Sequence, residues 1–126
     1  MKKFFFILLF FAFHSYICNA QHQTISDSNK IEKLKKEYLA QELELSPVES
    51  KAFWPVYDRY NADVRRAWTD YKDQTLFREK AAAIQDKYRP DFIQILHSHE
   101  RANNVFRAER AYREMLKKEL QERRKN

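Results

Sequence analysis

Glycine is absent from all 126 residues, and proline occurs only three times. Tight hairpin turns and helix C-caps draw on glycine because it enters left-handed backbone at no steric cost. Its absence argues against hairpin-rich sheets and leaves no glycine loop to cradle phosphates. With 33% charged residues, the chain reads instead as a few long helices with short connections, in one domain. Cysteine is nearly as scarce, since Cys18 stands alone. No disulfide can support the fold.

Long apolar runs are also missing, except at the start. Met1, Lys2 and Lys3 open with positive charge, and Phe4 to Phe13 is unbroken apolar sequence. "CNA" (Cys18 to Ala20) ends in a small residue, and polar "QHQ" follows. Residues 1–20 have the pattern of a secretory signal peptide cleaved after Ala20. The apolar run is too short to span a bilayer comfortably. Acylation of Cys18 is disfavoured, because Tyr16 and Ile17 are bulky where such a site needs small residues. Cleavage would remove the only thiol, which suits an oxidising compartment. It would also remove Lys2 and Lys3, lowering the formal net charge from +6 to +4. Such an excess fits acidic partners, a membrane surface or simply a solvated helical exterior. Export argues against nucleic acid, and membrane contact is expected only through a partner.

Residues 21–29 are polar and read as a mobile leader; residues 30–126 form the helical domain. Asp27 or Ser28 can cap a first helix with Ile31, Leu34, Tyr38 and Leu39 at helical spacing, ending near Glu44. Glu32 and Lys36 form a supporting pair four residues apart. The second helix opens with a capping box: the Ser46 hydroxyl accepts from the Glu49 amide, and Glu49 reaches back to Ser46. Pro47 occupies the first helical position, where its missing N–H costs nothing. Phe53, Tyr57, Tyr60, Val64, Trp68 and Tyr71 follow in one stripe, with Trp54 on its flank. The stripe continues through Pro55, so the proline is expected to bend this helix and not to end it. A third helix over 76–96 carries Phe77, Ala81, Ile84, Tyr88, Phe92 and Ile95, with Pro90 repeating the device. A fourth over 98–123 carries Ala102, Val105, Phe106, Tyr112, Leu116 and Leu120. The pairs Glu109/Arg113, Glu114/Lys118 and Glu119/Arg123 run along it. Narrow stripes on long helices suggest an open, bent shape or a dimer that completes the core.

No catalytic set stands out. The serines have no histidine–carboxylate arrangement that the sequence vouches for, so an enzyme is not expected and no cofactor is implied. The best metal candidates are His97, His99 and Glu100 in "HSHE", since imidazole and carboxylate bind zinc, nickel and cobalt. Residues two apart on a helix diverge, and two solvated histidines at a helix junction are the alternative. His22 is a weak copper candidate near the new N-terminus. Glu109 lies inside the apolar stripe of Val105, Tyr112 and Leu116, so it needs a cationic partner or water. Arg65, on the edge of the second helix's stripe, is the candidate partner. The aromatic stripe itself is either core packing or a surface for a client or second copy, formed by Tyr57, Tyr60, Trp68 and Tyr71 with Arg65 and Glu109.

"LSPVE" (Leu45 to Glu49) resembles the Leu-Thr-x-x-Gln signature of the Spy/CpxP group of periplasmic helical proteins, with Ser46 for Thr and Glu49 for Gln. "FWPVY" (Phe53, Trp54, Pro55, Val56, Tyr57) resembles the extension seen in a branch described as sensors linked to extracytoplasmic-function sigma factors. "LHSHE" (Leu96 to Glu100) occupies the place of a second signature, with His97 and Glu100 in the Thr and Gln places. "AERAYREMLKKEL" (Ala108 to Leu120) resembles that branch's last helix. The resemblance implies an all-α fold of four kinked helices in a hairpin-like monomer, paired as an antiparallel, cradle-shaped homodimer. It implies an ATP-independent chaperone or envelope-stress sensor for unfolded proteins or a membrane-bound regulatory protein. Metal-responsive members of the group make a metal sensor using His97 and His99 the alternative.

Overall fold

The computed structural model describes the backbone of residues 17–125 and the side chains of residues 27–125. Most of the expected signal segment lies outside the described residues. Four helices follow one another: α1 (Ile17–Glu42), α2 (Pro47–Asp70), α3 (Gln74–Leu96) and α4 (His99–Arg123). No strand occurs among the described residues, so the fold is all-α. No helix there is long and apolar enough to cross a membrane.

The chain divides into two units, one ending at Glu37 and one starting at Tyr38. In the first unit, helical backbone runs through residues 21–29, and α1 begins at Ile17 instead of at an Asp27 or Ser28 cap. That polar stretch contains neither glycine nor proline, so nothing in it stops a helix from propagating. Lys33 pairs with Glu37 at 3.9 Å and Lys35 with Glu32 at 3.3 Å. Pairs of this kind within one helix add about 0.3–0.5 kcal/mol each.

The second unit shows how a glycine-free chain ends its helices. Glu44 takes a left-handed φ of 49°. The Glu44 N–H donates to the Gln41 carbonyl and the Leu45 N–H to the Ala40 carbonyl, each at 3.1 Å. This is a Schellman turn with glutamate where glycine is usual. α3 also ends on a left-handed residue, His97 at φ 55°, in the simpler motif where its N–H donates to the Ile93 carbonyl at 2.8 Å. α2 starts as its sequence requires: Ser46 Oγ accepts from the Glu49 amide at 3.1 Å, and Glu49 Oε2 accepts from the Ser46 amide at 3.0 Å. Asp73 caps α3 by accepting from the Leu76 amide at 2.9 Å, so that helix begins two residues earlier than its apolar pattern. Ser98 caps α4 by accepting from the Arg101 amide at 3.2 Å. α2 and α3 continue through Pro55 and Pro90.

α2 and α3 run antiparallel, as their ring contacts show. Phe53 meets Phe92 at 5.3 Å, Tyr60 meets Tyr88 at 5.7 Å, and Trp68 meets Phe77 at 4.9 Å between centroids. α4 joins them through Phe106, whose ring lies 5.6 Å from Tyr60 and 5.9 Å from Phe92. The end of α1 adds Leu39 and Leu43 to the same core, and Tyr38 packs on Tyr112. Each fully buried ring or leucine contributes about 1.5–3 kcal/mol of burial free energy. A cross-helix clamp fixes α2 to α3: Asp63 Oδ2 accepts from the Tyr88 hydroxyl at 2.8 Å and from Lys87 Nζ at 3.0 Å. The Tyr88 hydrogen bond, followed by that of Lys87, holds the Asp63 carboxyl below its usual range. Burial, followed by Asp63, pushes the Tyr88 phenol up.

Candidate functional site

The α2 stripe is sealed at one end and open at the other. Phe53, Tyr57 and Tyr60 are buried; Val64 is half-buried, and Trp68 is 60% exposed. α3 mirrors this in reverse. Phe92 and Tyr88 are buried, while Ile84, Ala81 and Phe77 are half-buried. The cause lies in α4. Its large buried residues stop at Tyr112, and beyond it Met115 and Leu120 are each half exposed. Where a third apolar face would cover Trp68 and Phe77, α4 presents Arg110, Arg113 and Glu114 instead. The result is a groove of about 810 Å³ between the three helices. Val64, Trp68, Phe77 and Ala81 give it an apolar lining, and Arg65, Arg78, Arg110 and Arg113 give it charge.

Tyr60 marks the boundary between groove and core. It lines the groove, yet only 2% of its surface is exposed. Its hydroxyl donates to Glu109 Oε2 at 2.9 Å, and the Tyr57 hydroxyl donates to Glu109 Oε1 at 2.6 Å. Glu109 is 6% exposed. The sequence suggests Arg65 as its partner and a charged pair with Arg113. Instead, two phenols satisfy the carboxylate with neutral hydrogen bonds, and Arg65 lines the open groove. Neutral donors meet the need of a buried carboxylate without desolvating a second charge. Burial, then the Glu109 charge, pushes the Tyr60 phenol far above its ordinary value.

Some cations on these helices are ion-paired. Arg66 and Lys87 pair with Asp63, Arg89 with Asp86, and Arg101 with Glu49. Arg65, Arg78, Arg110 and Arg113 have no ion-pair partner among the described residues. Glu114 is the one carboxylate lining the groove. Four unpaired guanidiniums beside apolar surface attract anionic groups and can hold them by forked hydrogen bonds.

The two signature-like segments meet at Arg101. Its Nη1 donates to Glu49 Oε1 at 2.6 Å and to the Leu96 carbonyl at 3.1 Å. Its Nη2 donates to Glu49 Oε2 and to the Leu43 carbonyl, each at 2.9 Å. One side chain thus ties together the ends of α1 and α3 and the starts of α2 and α4. The Arg101 hydrogen bond, then that of the Ser46 amide, lowers Glu49 to about 2. Ser98 caps α4 as Ser46 caps α2, and the residue three further on is Arg101. His97 caps α3 and His99 opens α4, both solvent-exposed. With Glu100 they form no metal-binding group: among the described residues no cluster of three or more His, Cys, Asp or Glu side chains is suited to a metal.

Of the remaining expected residues, Leu45 and Trp54 pack half-buried against the core, and Leu96 lies within it. Pro55 is exposed, and Tyr71 forms the C-cap of α2. Sequence reasoning named Arg113 only as a pair partner of Glu109 and missed Arg78, Arg101 and Arg110. A usable signal existed only for Arg101. It lies three residues after a capping serine, as Glu49 does, with the opposite charge. No family model matches the chain, and no curated protein or solved structure matches it.

Proposed function

We propose that this chain is an exported, periplasmic binding protein that works without bond chemistry, as an ATP-independent chaperone or envelope-stress sensor. Its ligands are exposed apolar segments of unfolded proteins or of a membrane-bound regulatory partner. One observation carries the reading: an exposed Trp68 and a half-buried Phe77 line a groove ringed by unpaired arginines. Apolar burial is non-directional, so such a surface accepts varied sequences, and its charge raises encounter rates. The leader pattern and the likeness of "LSPVE" and "FWPVY" to Spy/CpxP signatures support the same reading. A homodimer is the proposed working form, and light scattering of the processed chain tests it.

The deciding experiment is suppression of aggregation of a denatured test protein at stoichiometric amounts. The expected result is suppression that is lost in Trp68→Ala/Phe77→Ala. Absence of suppression together with tight binding to one membrane protein would assign the sensor role. Absence of both would overturn the reading.

A further inference from the structure

Every cation among the described residues that line the groove is an arginine. The guanidinium is planar, weakly hydrated and shaped to fork onto phosphate or carboxylate oxygens. It also tolerates apolar neighbours better than an ammonium does. Here Arg65 and Arg78 line the same groove as Val64 and Phe77. The volume of about 810 Å³ falls in the range of about 300–1,000 Å³ occupied by small-ligand sites. Apolar rings and aliphatic side chains share one space with unpaired guanidiniums. That is the pattern of a molecule with an anionic head and an alkyl tail.

We propose that the groove binds a single-chain anionic amphiphile, its oxyanion head among Arg78, Arg110 and Arg113 and its tail along Val64, Trp68 and Phe77. The inference rests on the reading of this groove as a binding site and adds a small ligand that competes there with polypeptide. An amphiphile released by a damaged envelope would then displace a bound segment without any change in the fold. The single carboxylate, Glu114, disfavours cationic amphiphiles.

The test uses Trp54→Phe, which leaves Trp68 as the sole tryptophan. The chain is titrated with dodecyl phosphate and with laurate, below their micelle concentrations, while emission and far-ultraviolet circular dichroism are followed. The expected result is a saturable Trp68 response at one ligand per chain with helix content unchanged. Uncharged dodecyl maltoside and cationic dodecyltrimethylammonium bind about tenfold more weakly, from the loss of charge-assisted hydrogen bonds. Arg78→Gln/Arg110→Gln weakens both anions to a similar degree with an unchanged melting temperature. Equal binding of the uncharged chain, or binding only with loss of helix, would overturn the proposal. So would a response to phosphatidylglycerol vesicles alone, which would assign the groove to a membrane surface. Trp68 already shielded in a self-associated form would assign it to a second copy. A Trp68 that responds to unfolded polypeptide but to neither anion overturns this inference and leaves the binding reading intact. Response to neither class overturns both.

Discussion

Glu109 satisfies two buried phenols at once, so its removal acts on three groups. Glu109→Ala removes the carboxylate that accepts from both the Tyr57 and Tyr60 hydroxyls and is expected to destabilise the fold by about 3 kcal/mol in urea unfolding. Glu109→Gln keeps one acceptor oxygen and is expected to melt at a lower temperature by a smaller margin. In a Tyr57→Phe/Tyr60→Phe background the cost of Glu109→Ala should nearly vanish, because no hydroxyl is then stranded; an undiminished cost would refute the network. Tyr60 also sets an alkaline limit. Its folded value lies above the ordinary phenol value of about 10, so the unfolded state loses the proton first. Stability from this group is full below about pH 10 and declines as pH rises above it. Tyrosine absorbance should therefore show Tyr60 ionising only as the helices unfold. Glu49 acts in the opposite direction. Its carboxyl lies at about 2 against an ordinary 4.5. Its contribution is full above pH 4.5 and is lost as pH falls through about 2. Glu49→Gln keeps the capping geometry but removes the ion pair, and should flatten the stability profile in that acid window.

At the scale of elements, the absence of glycine leaves a measurable trace. Glu44 and His97 hold left-handed backbone that costs a residue with a Cβ about 1 kcal/mol. Glu44→Gly and His97→Gly are each expected to raise stability by about 0.5–1 kcal/mol, the relief exceeding the added freedom of the unfolded chain. Unchanged or lower midpoints would show that those side chains hold the turns in another way. The helices themselves were legible because their signals are local. Ser46, Pro47 and Glu49 lie within four residues, and the stripe from Phe53 to Tyr71 continues past Pro55. The extra turns of α1 were not legible, because a polar stretch without breakers gives no stop signal. Neither were the partners of Glu109 and Arg101, which lie about fifty residues away along the chain. A helical wheel places a side chain on a face but does not say what that face meets. The start of α4 at Ser98 was legible, whereas the left-handed turn at His97 was not, because no glycine marks it.

For the whole molecule, the essential feature is a core that ends before its aromatic stripes do. Phe92 lies in the sealed part, and Phe92→Ala is expected to cost about 3–5 kcal/mol. Trp68 is 60% exposed in the open part, where Trp68→Ala forfeits partial burial and its edge contact with Phe77, about 1–2 kcal/mol. Stability and binding should therefore separate along one stripe, with losses of fold towards Phe53 and losses of ligand towards Trp68. Which half would remain open was not readable from the sequence, because it depends on Arg110 and Arg113, and not apolar residues of α4, facing the stripe. The most direct measurement is the emission and iodide quenching of Trp68 in Trp54→Phe during titration with an unfolded polypeptide. Occupation of the groove predicts a shift to shorter wavelength and protection from quenching that saturate near one polypeptide per binding unit. Unchanged emission and quenching, while the polypeptide aggregates at its unassisted rate, would contradict it.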